Sequence, residues 1–236
     1  MPNDNDLNNS MLAFSGGKDS VAVSQYILRQ GYKPLHVAVV SKTLDYPQHK
    51  QFIQEYCDRY KIPLRFQYRP KFGEYIHVYQ RPEFIFPECS KVKNKWFQGM
   101  QRSGIAAATK RFSPEAVIYG RRSADGNSSS IKLVRDESGN GASYVSSTNT
   151  PQLFPLWFWS QVKTADYVSD TMRSPIYDTA RGRKRGTHTI NIANMYGESD
   201  HTASMEFIKS MDAKCYERAC QLFDRRERYR NLLSRL

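Results

Sequence analysis

The sequence predicts an α/β protein with an open, mostly parallel sheet, helices on both faces of the sheet and a helical C-terminal region. Two observations support this fold class. Short apolar strands alternate with amphipathic helices between Met11 and Tyr119, and a glycine loop joins the first strand to the first helix. Strands that alternate with helices at this spacing form parallel sheets with right-handed crossovers. Ligands of such sheets lie beyond the carboxyl ends of the strands, which is where the glycine loop is placed.

Apolar runs and helical spacing define the individual elements. Strands are expected at residues 11–14, 34–40, 63–68 and 116–119, and helices at 21–28, 48–60 and about 92–109. A short apolar run at 131–134 predicts one more strand inside 123–152, a stretch rich in Ser, Gly, Asn and Thr. We expect this stretch to be a mobile loop, either a lid that orders over a ligand or an ordinary surface loop.

The segment from about residue 204 to 236 places apolar residues at steps of three, four and seven, from Ile208 to Leu236. This spacing predicts one face of a long helix. Three interpretations stay open for that face: it packs on the core, it joins a second copy of the chain in a homo-oligomer, or it contacts nucleic acid.

The loop from Ser15 to Ser20 has the composition of a phosphate site. The adjacent glycines Gly16 and Gly17 let the backbone turn tightly and approach an anion without an intervening side chain. The first amides of the following helix point at that anion, with the helix dipole behind them. The loop therefore predicts a binding site for a phosphorylated ligand.

The side chains of the same loop extend this prediction. Ser15 and Ser20 supply hydroxyl donors, and Lys18 supplies a positive charge. Asp19 is poorly placed against bare phosphate, so it either caps the helix or faces a Mg²⁺ ion that neutralises the phosphates. We therefore expect Lys18 and Asp19 to act in catalysis, with Asp19 as the metal ligand.

The loop resembles the Ser-Gly-Gly-x-Asp-Ser loop, called the PP-loop, of the ATP pyrophosphatases, and it matches neither the Walker nor the dinucleotide fingerprint. Further motifs, in the same order along the chain, resemble the branch that contains phosphoadenylyl-sulfate (PAPS) reductase and the small subunit of ATP sulfurylase. They are Tyr46–Gln48, Cys89 with Lys91, Lys93 and Lys95, Gly120–Asp125, Pro155–Ser160, Asp166–Val168 and Pro175–Asp178. The resemblance implies a PP-loop, Rossmann-like domain that binds ATP, or PAPS, and acts at the α-phosphate.

Further site residues follow from this resemblance. Arg122 is expected to bind an α-phosphate or sulfate bidentately, and Arg121 or one of Lys91, Lys93 and Lys95 to offset the charge of the transition state. Ser41 stands where the family commonly ends its second strand with an acidic residue, so it is placed among the nucleotide contacts.

The chain also departs from the branch. The C-terminal Glu-Cys-Gly-x-His of PAPS reductases is absent, as are the paired cysteines that hold an iron–sulfur cluster. Since the four cysteines include no C-x-x-C pair, we expect neither an Fe–S cluster nor zinc. Aromatic residues of the matching motifs are expected to lie in the core, namely Trp157, Trp159, Tyr167 and Tyr177.

The residues leave three functions open. The leading one is cleavage of ATP between its α- and β-phosphates, with adenylyl transfer to an acceptor and release of pyrophosphate. The second is sulfonucleotide reduction or sulfur transfer with Cys89 as the nucleophile. The third is a non-catalytic nucleotide- or nucleic-acid-binding module, which the net charge of +12 and the basic runs at 181–185 and 225–230 favour.

We divide the chain into a tail at 1–8, a PP-loop domain at 9–178, and a basic loop with a helical region at 179–236. No apolar run approaches the length of a membrane span, and the polar first residues do not resemble a signal peptide. We therefore expect a cytoplasmic protein that makes no contact with membranes.

Overall fold

The structure, a computed structural model, describes residues 7–41, 45–68, 101–123, 134–135, 142–145, 149–168, 172, 174–176 and 202–233. The strands of this part of the chain are β1 (Met11–Ala13), β2 (Leu35–Val40), β3 (Leu64–Tyr68), β4 (Val117–Ile118), β5 (Val134–Arg135), β6 (Ala142–Val145) and β7 (Pro151–Phe154). The helices are α1 (Lys18–Arg29), α2 (Pro47–Tyr60), α3 (Ser103–Phe112), α4 (Gln161–Tyr167), α5 (Thr202–Met211) and α6 (Ala213–Leu233).

The strands form one sheet in the order β3-β2-β1-β4-β7-β6-β5. Strand β1 is central and pairs in parallel with both β2 and β4, with Met11 opposite Leu35 on one side and Val117 on the other. Strand β4 pairs in parallel with β7, and β6 pairs antiparallel with both β7 and β5. The predicted α/β class with a mostly parallel open sheet is confirmed. The glycine loop begins two residues after the last residue of β1, Ala13.

The stretch 123–152 differs from the loop that its composition predicts. It contains β5, β6 and the first residues of β7, and β7 adds the strand next to β4. The predicted strand at 131–134 overlaps β5 at Val134, and its other residues lie outside the described part of the chain. Residues 92–100 of the predicted third helix also lie outside it, and α3 begins at Ser103.

The chain forms two compact units. The first consists of Met1–Val39, Gln51–Gln67 and Ala107–Ser174, and the second consists of Val40–Lys50, Tyr68–Ala106 and Pro175–Leu236. The boundaries at 8 and 178 that the sequence suggests stay predictions. In the described segments, no helix combines the length and the apolar character that crossing a bilayer requires.

The core of the first unit is built around β1. Met11, Leu12 and Phe14 are at most 1% exposed, and Phe14 packs its ring on Tyr56 and His36 at centroid distances of 5.1 and 5.0 Å. Burial of such large side chains contributes about 1.5–3 kcal/mol each. Helix α1 covers this core and ends at Arg29, with Gln30 as its C-cap. Gly31 follows with a φ of +89°, the left-handed conformation typical of the residue after a helix C-cap.

A chain of buried hydrogen bonds ties α1 to β2 and α2. The amide of Gln25 donates to the Tyr56 hydroxyl at 2.8 Å, and that hydroxyl donates to Ser24 at 3.0 Å. Ser24 lies 2.7 Å from Nε2 of His36, and Nδ1 of His36 lies 2.9 Å from the carbonyl oxygen of Pro34. A carbonyl can only accept, so Nδ1 carries the proton and Nε2 accepts from Ser24. Every member of the chain therefore has a partner while His36 is neutral.

Burial sets the protonation of this chain. It lowers the pKa of His36 from 6.5 to about 4, against a smaller opposing effect of the Pro34 hydrogen bond. Burial likewise raises the pKa of Tyr56 to about 12. Protonated His36 would bury a positive charge, and it would offer no acceptor to Ser24, whose hydroxyl proton would lose its partner.

In the second unit, the predicted single C-terminal helix is two helices that meet at Asp212. The Asp212 N–H donates to the Ile208 carbonyl at 3.0 Å and closes α5, while its Oδ1 accepts from the Cys215 N–H at 2.8 Å and caps α6. The Gln48 amide donates to Asp212 Oδ2 at 3.2 Å. The hydrogen bond from Cys215 is the largest of the effects that lower the pKa of Asp212. The two helices are therefore separated by the capping residue Asp212, although the apolar spacing continues across it.

We predict that the stability of the protein depends on His36 between pH 6.5 and pH 4. In this window the unfolded state binds more protons than the folded state, so acidification removes a contribution of about 3 kcal/mol. Urea unfolding of the wild type and His36→Gln at several pH values measures it. The variant should be less stable at pH 7, and its deficit should shrink towards pH 4. A deficit that does not change with pH would contradict the assigned neutral His36.

Candidate functional site

The glycine loop folds as a tight turn between β1 and α1. Gly16 has a φ of +69°, which favours glycine, whereas Gly17 has a φ of −75° and is the N-cap of α1. The Gly17 N–H donates to Ser15 Oγ at 3.3 Å, and Ser20 Oγ donates to the Gly17 carbonyl at 2.9 Å. Ser15 Oγ donates to Ser20 Oγ at 3.2 Å, so the two hydroxyls close the turn from inside.

The turn leaves backbone donors at the start of α1. The Val21 N–H makes the first helical bond, to the Gly17 carbonyl at 3.0 Å, and no side chain caps the helix at Gly17. The N–H groups of Lys18, Asp19 and Ser20 precede that bond, and they are the donors that a helix N-terminus offers to an anion. The loop therefore has the backbone geometry that the sequence predicts.

Two buried cations converge on one carboxylate beside these donors. Asp19 Oδ1 lies 2.7 Å from Lys18 Nζ and 3.3 Å from Arg122 Nε. The side chains of Lys18 and Arg122 are only 4% and 6% exposed, whereas that of Asp19 is 32% exposed. Because burying a cation is costly unless an anion compensates it, Asp19 holds both cations in place at the start of α1.

Arg122 reaches this cluster through a close backbone contact at Gly120. A Cβ atom on Gly120 would lie 2.5 Å from the Asp19 carbonyl oxygen and 2.9 Å from the Ser20 nitrogen. Both are backbone atoms of the first turn of α1, so they cannot move aside as a side-chain end would. Glycine is therefore required where the chain leaving β4 passes the helix start. The sequence places Gly120 in a turn but gives no sign of this contact.

The other predicted site residues are placed as follows. Arg121 lies in the first unit between Gly120 and Arg122 and is partly exposed. Ser41 is buried in the second unit, where its N–H donates to Asp45 Oδ2 at 2.6 Å. Lys91 lies outside the described residues. The structure thus brings Lys18, Asp19 and Arg122 together with the loop.

The cysteines differ in what they offer chemically. Burial raises the pKa of Cys57 and of Cys215 to about 12, so both thiols stay protonated and poorly nucleophilic. Cys89, the predicted nucleophile of the sulfur-transfer alternative, lies outside the described residues. Within the described ranges, His, Cys, Asp and Glu side chains form no group of three or more that could hold a metal.

Most of the chain matches one known protein family. The sequence model of the phosphoadenosine phosphosulfate reductase domain matches residues 9–180. The chain belongs to this family. It is thereby a PAPS reductase-like member of the PP-loop, adenine nucleotide alpha hydrolase-like superfamily. A comparison with curated protein sequences gives no significant match.

Three solved structures are similar to this PAPS reductase-like chain at low sequence identity. PAPS reductase from Candida auris, in a phosphate complex, is 13% identical with a TM-score of 0.50, over 72% of this chain and 77% of its own. A predicted tRNA methyltransferase subunit from Methanocaldococcus jannaschii is 15% identical with a TM-score of 0.48, over 68% and 73%. NMN synthetase from Francisella tularensis is 14% identical with a TM-score of 0.48, over 93% and 85%.

We predict that Gly120→Ala lowers both stability and pyrophosphate binding. The added Cβ must push the β4 end away from Asp19, an overpacking change that typically costs about 1–3 kcal/mol. Unfolding in urea and calorimetric titration with pyrophosphate measure the two effects.

Gly31→Ala is the matched control for this change. It forces alanine into a φ of +89° at the opposite end of α1, so it should lower stability by about 1–2 kcal/mol and leave pyrophosphate affinity unchanged. Equal losses of affinity in both variants would show that general destabilisation, rather than the Gly120 contact, controls binding.

Proposed function

We propose that this PAPS reductase-like protein binds an adenine nucleotide, with ATP as the leading candidate. It cleaves ATP between the α- and β-phosphates, transfers the adenylyl group to an acceptor and releases pyrophosphate. Membership of the family supports nucleotide chemistry, and the loop geometry supports the site at which it takes place. The observation that carries the proposal is the convergence of Lys18 and Arg122 beside the N–H groups at the start of α1.

The leaving pyrophosphate is the ligand of the loop in this proposal. The N–H groups of Lys18, Asp19 and Ser20 donate to it, and Ser15 and Ser20 add hydroxyl donors once their protons turn from their partners within the loop to the ligand. Gly16 makes the turn that lets the backbone approach. Since the backbone donors are fixed by the fold before the nucleotide arrives, they stabilise the charge of the leaving group without reorganisation.

Lys18 and Arg122 bind the α-phosphoryl group, which is transferred with the adenosine to the acceptor. A bound phosphate offers both cations an anionic partner besides Asp19, and a guanidinium can contact two phosphate oxygens at once. Charge grows on these oxygens in the transition state, so both contacts strengthen there. Arg121 is the neighbouring cation that adds to this stabilisation, and Lys91 and Ser41 stay proposed nucleotide contacts.

Mg²⁺ does not fit Asp19 as the structure has it. One oxygen of this carboxylate is already shared by Lys18 and Arg122, and their charges repel a divalent cation. Asp19 therefore fits the role of positioning the two cations better than the role of metal ligand. We derive no catalytic step through Mg²⁺, which would reach the site only as a complex with the nucleotide's phosphates.

A second function is favoured by the family match itself. PAPS is the alternative nucleotide, with its sulfonyl group beside Arg122 and Cys89 as the attacking thiol. Cys57 and Cys215 are unsuited to this role because burial raises the pKa of each to about 12.

The direct test is turnover of α-labelled ATP with Mg²⁺. We expect labelled AMP or an adenylylated acceptor together with pyrophosphate, and a loss of about 100-fold or more in Arg122→Ala. Arg59→Ala, which removes an exposed arginine on α2, is the control and should keep full activity. Recovery of only ATP or ADP, with every acceptor tried, would contradict the proposal. Turnover of PAPS that Cys89→Ser abolishes would select the second function.

A further variant separates the two roles of Asp19. If Asp19 positions the cations, Asp19→Asn should lower kcat while the Mg²⁺ concentration for half-maximal activity stays unchanged. Steady-state rates over a Mg²⁺ titration measure both quantities. A large rise in the required Mg²⁺ concentration would instead identify Asp19 as the metal ligand.

A further inference from the structure

We propose that a groove at the far end of α1 binds single-stranded nucleic acid. The groove has a volume of about 620 Å³ and is lined by Arg29, Ser160, Val162, Lys163, Asp166 and Tyr167. Arg29 is the last residue of α1, and the other five belong to α4 and its N-cap. The proposal does not rest on the proposed ATP chemistry, because α1 spans about 17 Å from the glycine loop to this end.

Tyr167 lines the groove, and two further aromatic rings pack in a row beside it. Trp159 lies edge-on to Tyr167 at a centroid distance of 4.9 Å and edge-on to Tyr26 at 5.7 Å. All three rings keep partial exposure to solvent, whereas neighbouring Trp157 is only 2% exposed. The expectation that these aromatics are core residues therefore holds for Trp157 and not for Trp159 or Tyr167.

Two cations are held on these rings. The Arg29 guanidinium carbon lies 4.3 Å from the centre of the Tyr167 ring, and Lys163 Nζ lies 4.5 Å from that of Trp159. Both side chains are exposed, and in the described part of the chain neither forms a salt bridge. The rings thus orient two positive charges that form no ion pair with a carboxylate of the described residues, and such stacking restricts the cations before a ligand arrives.

Cations placed beside aromatic rings favour one class of anionic ligand, a single-stranded nucleic acid. A groove that presents cations beside aromatic rings is suited to single strands, because phosphates meet the cations and bases stack on an exposed ring or on the guanidinium plane. The net charge of +12 favours a polyanion over a single small anion. Bases paired in a duplex cannot stack in this way, so the single strand is preferred.

Asp166 distinguishes a nucleic acid from other polyanions. Its carboxylate lines the same groove and repels a ligand that carries only negative charge, such as an acidic peptide. A nucleobase instead offers amino and imino donors that a carboxylate accepts. Val162 is 69% exposed at the groove and gives apolar contact area for a base or sugar.

The test is fluorescence anisotropy with the full chain and a labelled single-stranded oligothymidylate of about 12 nucleotides, a length within the range that one such site covers. Arg29→Gln combined with Lys163→Gln should weaken binding by about 10-fold or more. The slope of log affinity against log salt should become shallower by about 1.4, the value for two lost phosphate contacts on a single strand. Val162→Glu, a change at an exposed position, should weaken binding as well.

The matched control is Arg59→Gln combined with Lys110→Gln, which removes the same charge from exposed positions on α2 and α3. It should change affinity by less than about 2-fold, a difference too small for two lost phosphate contacts. Thermal unfolding should show that all variants fold, and pyrophosphate binding should stay unchanged in them. Ser20→Ala should do the reverse, losing pyrophosphate binding and keeping the oligonucleotide.

Three outcomes would overturn the proposal. They are failure of the wild type to bind the oligonucleotide, an equal loss in the control variant, and equal competition by poly-glutamate. The second would indicate a diffuse basic surface, and the third would indicate a site for acidic proteins.

Discussion

The geometry of the site depends on one close backbone contact, between Gly120 and the first turn of α1. There the chain leaving β4 passes so near the backbone of Asp19 and Ser20 that no side chain fits between them. This contact fixes the N-terminus of α1 at the edge of the sheet and carries Arg122 to Asp19. The loop, the N–H donors and the two cations all depend on that one close approach.

The rest of α1 is anchored by a different kind of interaction. Its middle turn contributes Ser24 and Gln25 to the buried chain of hydrogen bonds that reaches His36 and Tyr56. A network in which every group has a partner is specific in orientation as well as favourable in energy. The polar contacts thus fix the rotation of α1 about its axis, and the contact with Gly120 fixes the position of its N-terminus. We propose that its N-terminal end binds a diphosphate and its C-terminal end binds a nucleic acid.

The sequence was sufficient for the loop and the central strands because their signals are local. The run from Ser15 to Ser20 carries its own turn chemistry, and apolar runs define β1 and β2. The strand β7 is different. It has four residues, too few to show a period, and its identity comes from pairing with β4. The break at Asp212 was missed because the apolar spacing continues across it, so only the capping residue marks the boundary.

The difference between local signals and long-range contacts also explains which parts of the site the sequence predicts. The sequence identifies Arg122 as a candidate through the motif Gly120–Asp125, which resembles the family, and the structure places its side chain 3.3 Å from Asp19. Its sharing of Asp19 with Lys18 joins residues that are distant in sequence, and so does the stacking of Arg29 on Tyr167. Such contacts depend on the packing of side chains from separate elements, which a single sequence does not encode in any local pattern.

The central claim is that backbone N–H groups at the start of α1 bind a diphosphate. It is tested most directly by a two-dimensional ¹H–¹⁵N NMR titration of the protein with pyrophosphate. We expect the amide signals of Gly17, Lys18, Asp19 and Ser20 to shift together and saturate, while those of Arg29 and Tyr167 stay in place. Loop signals that do not move at saturating pyrophosphate would contradict it.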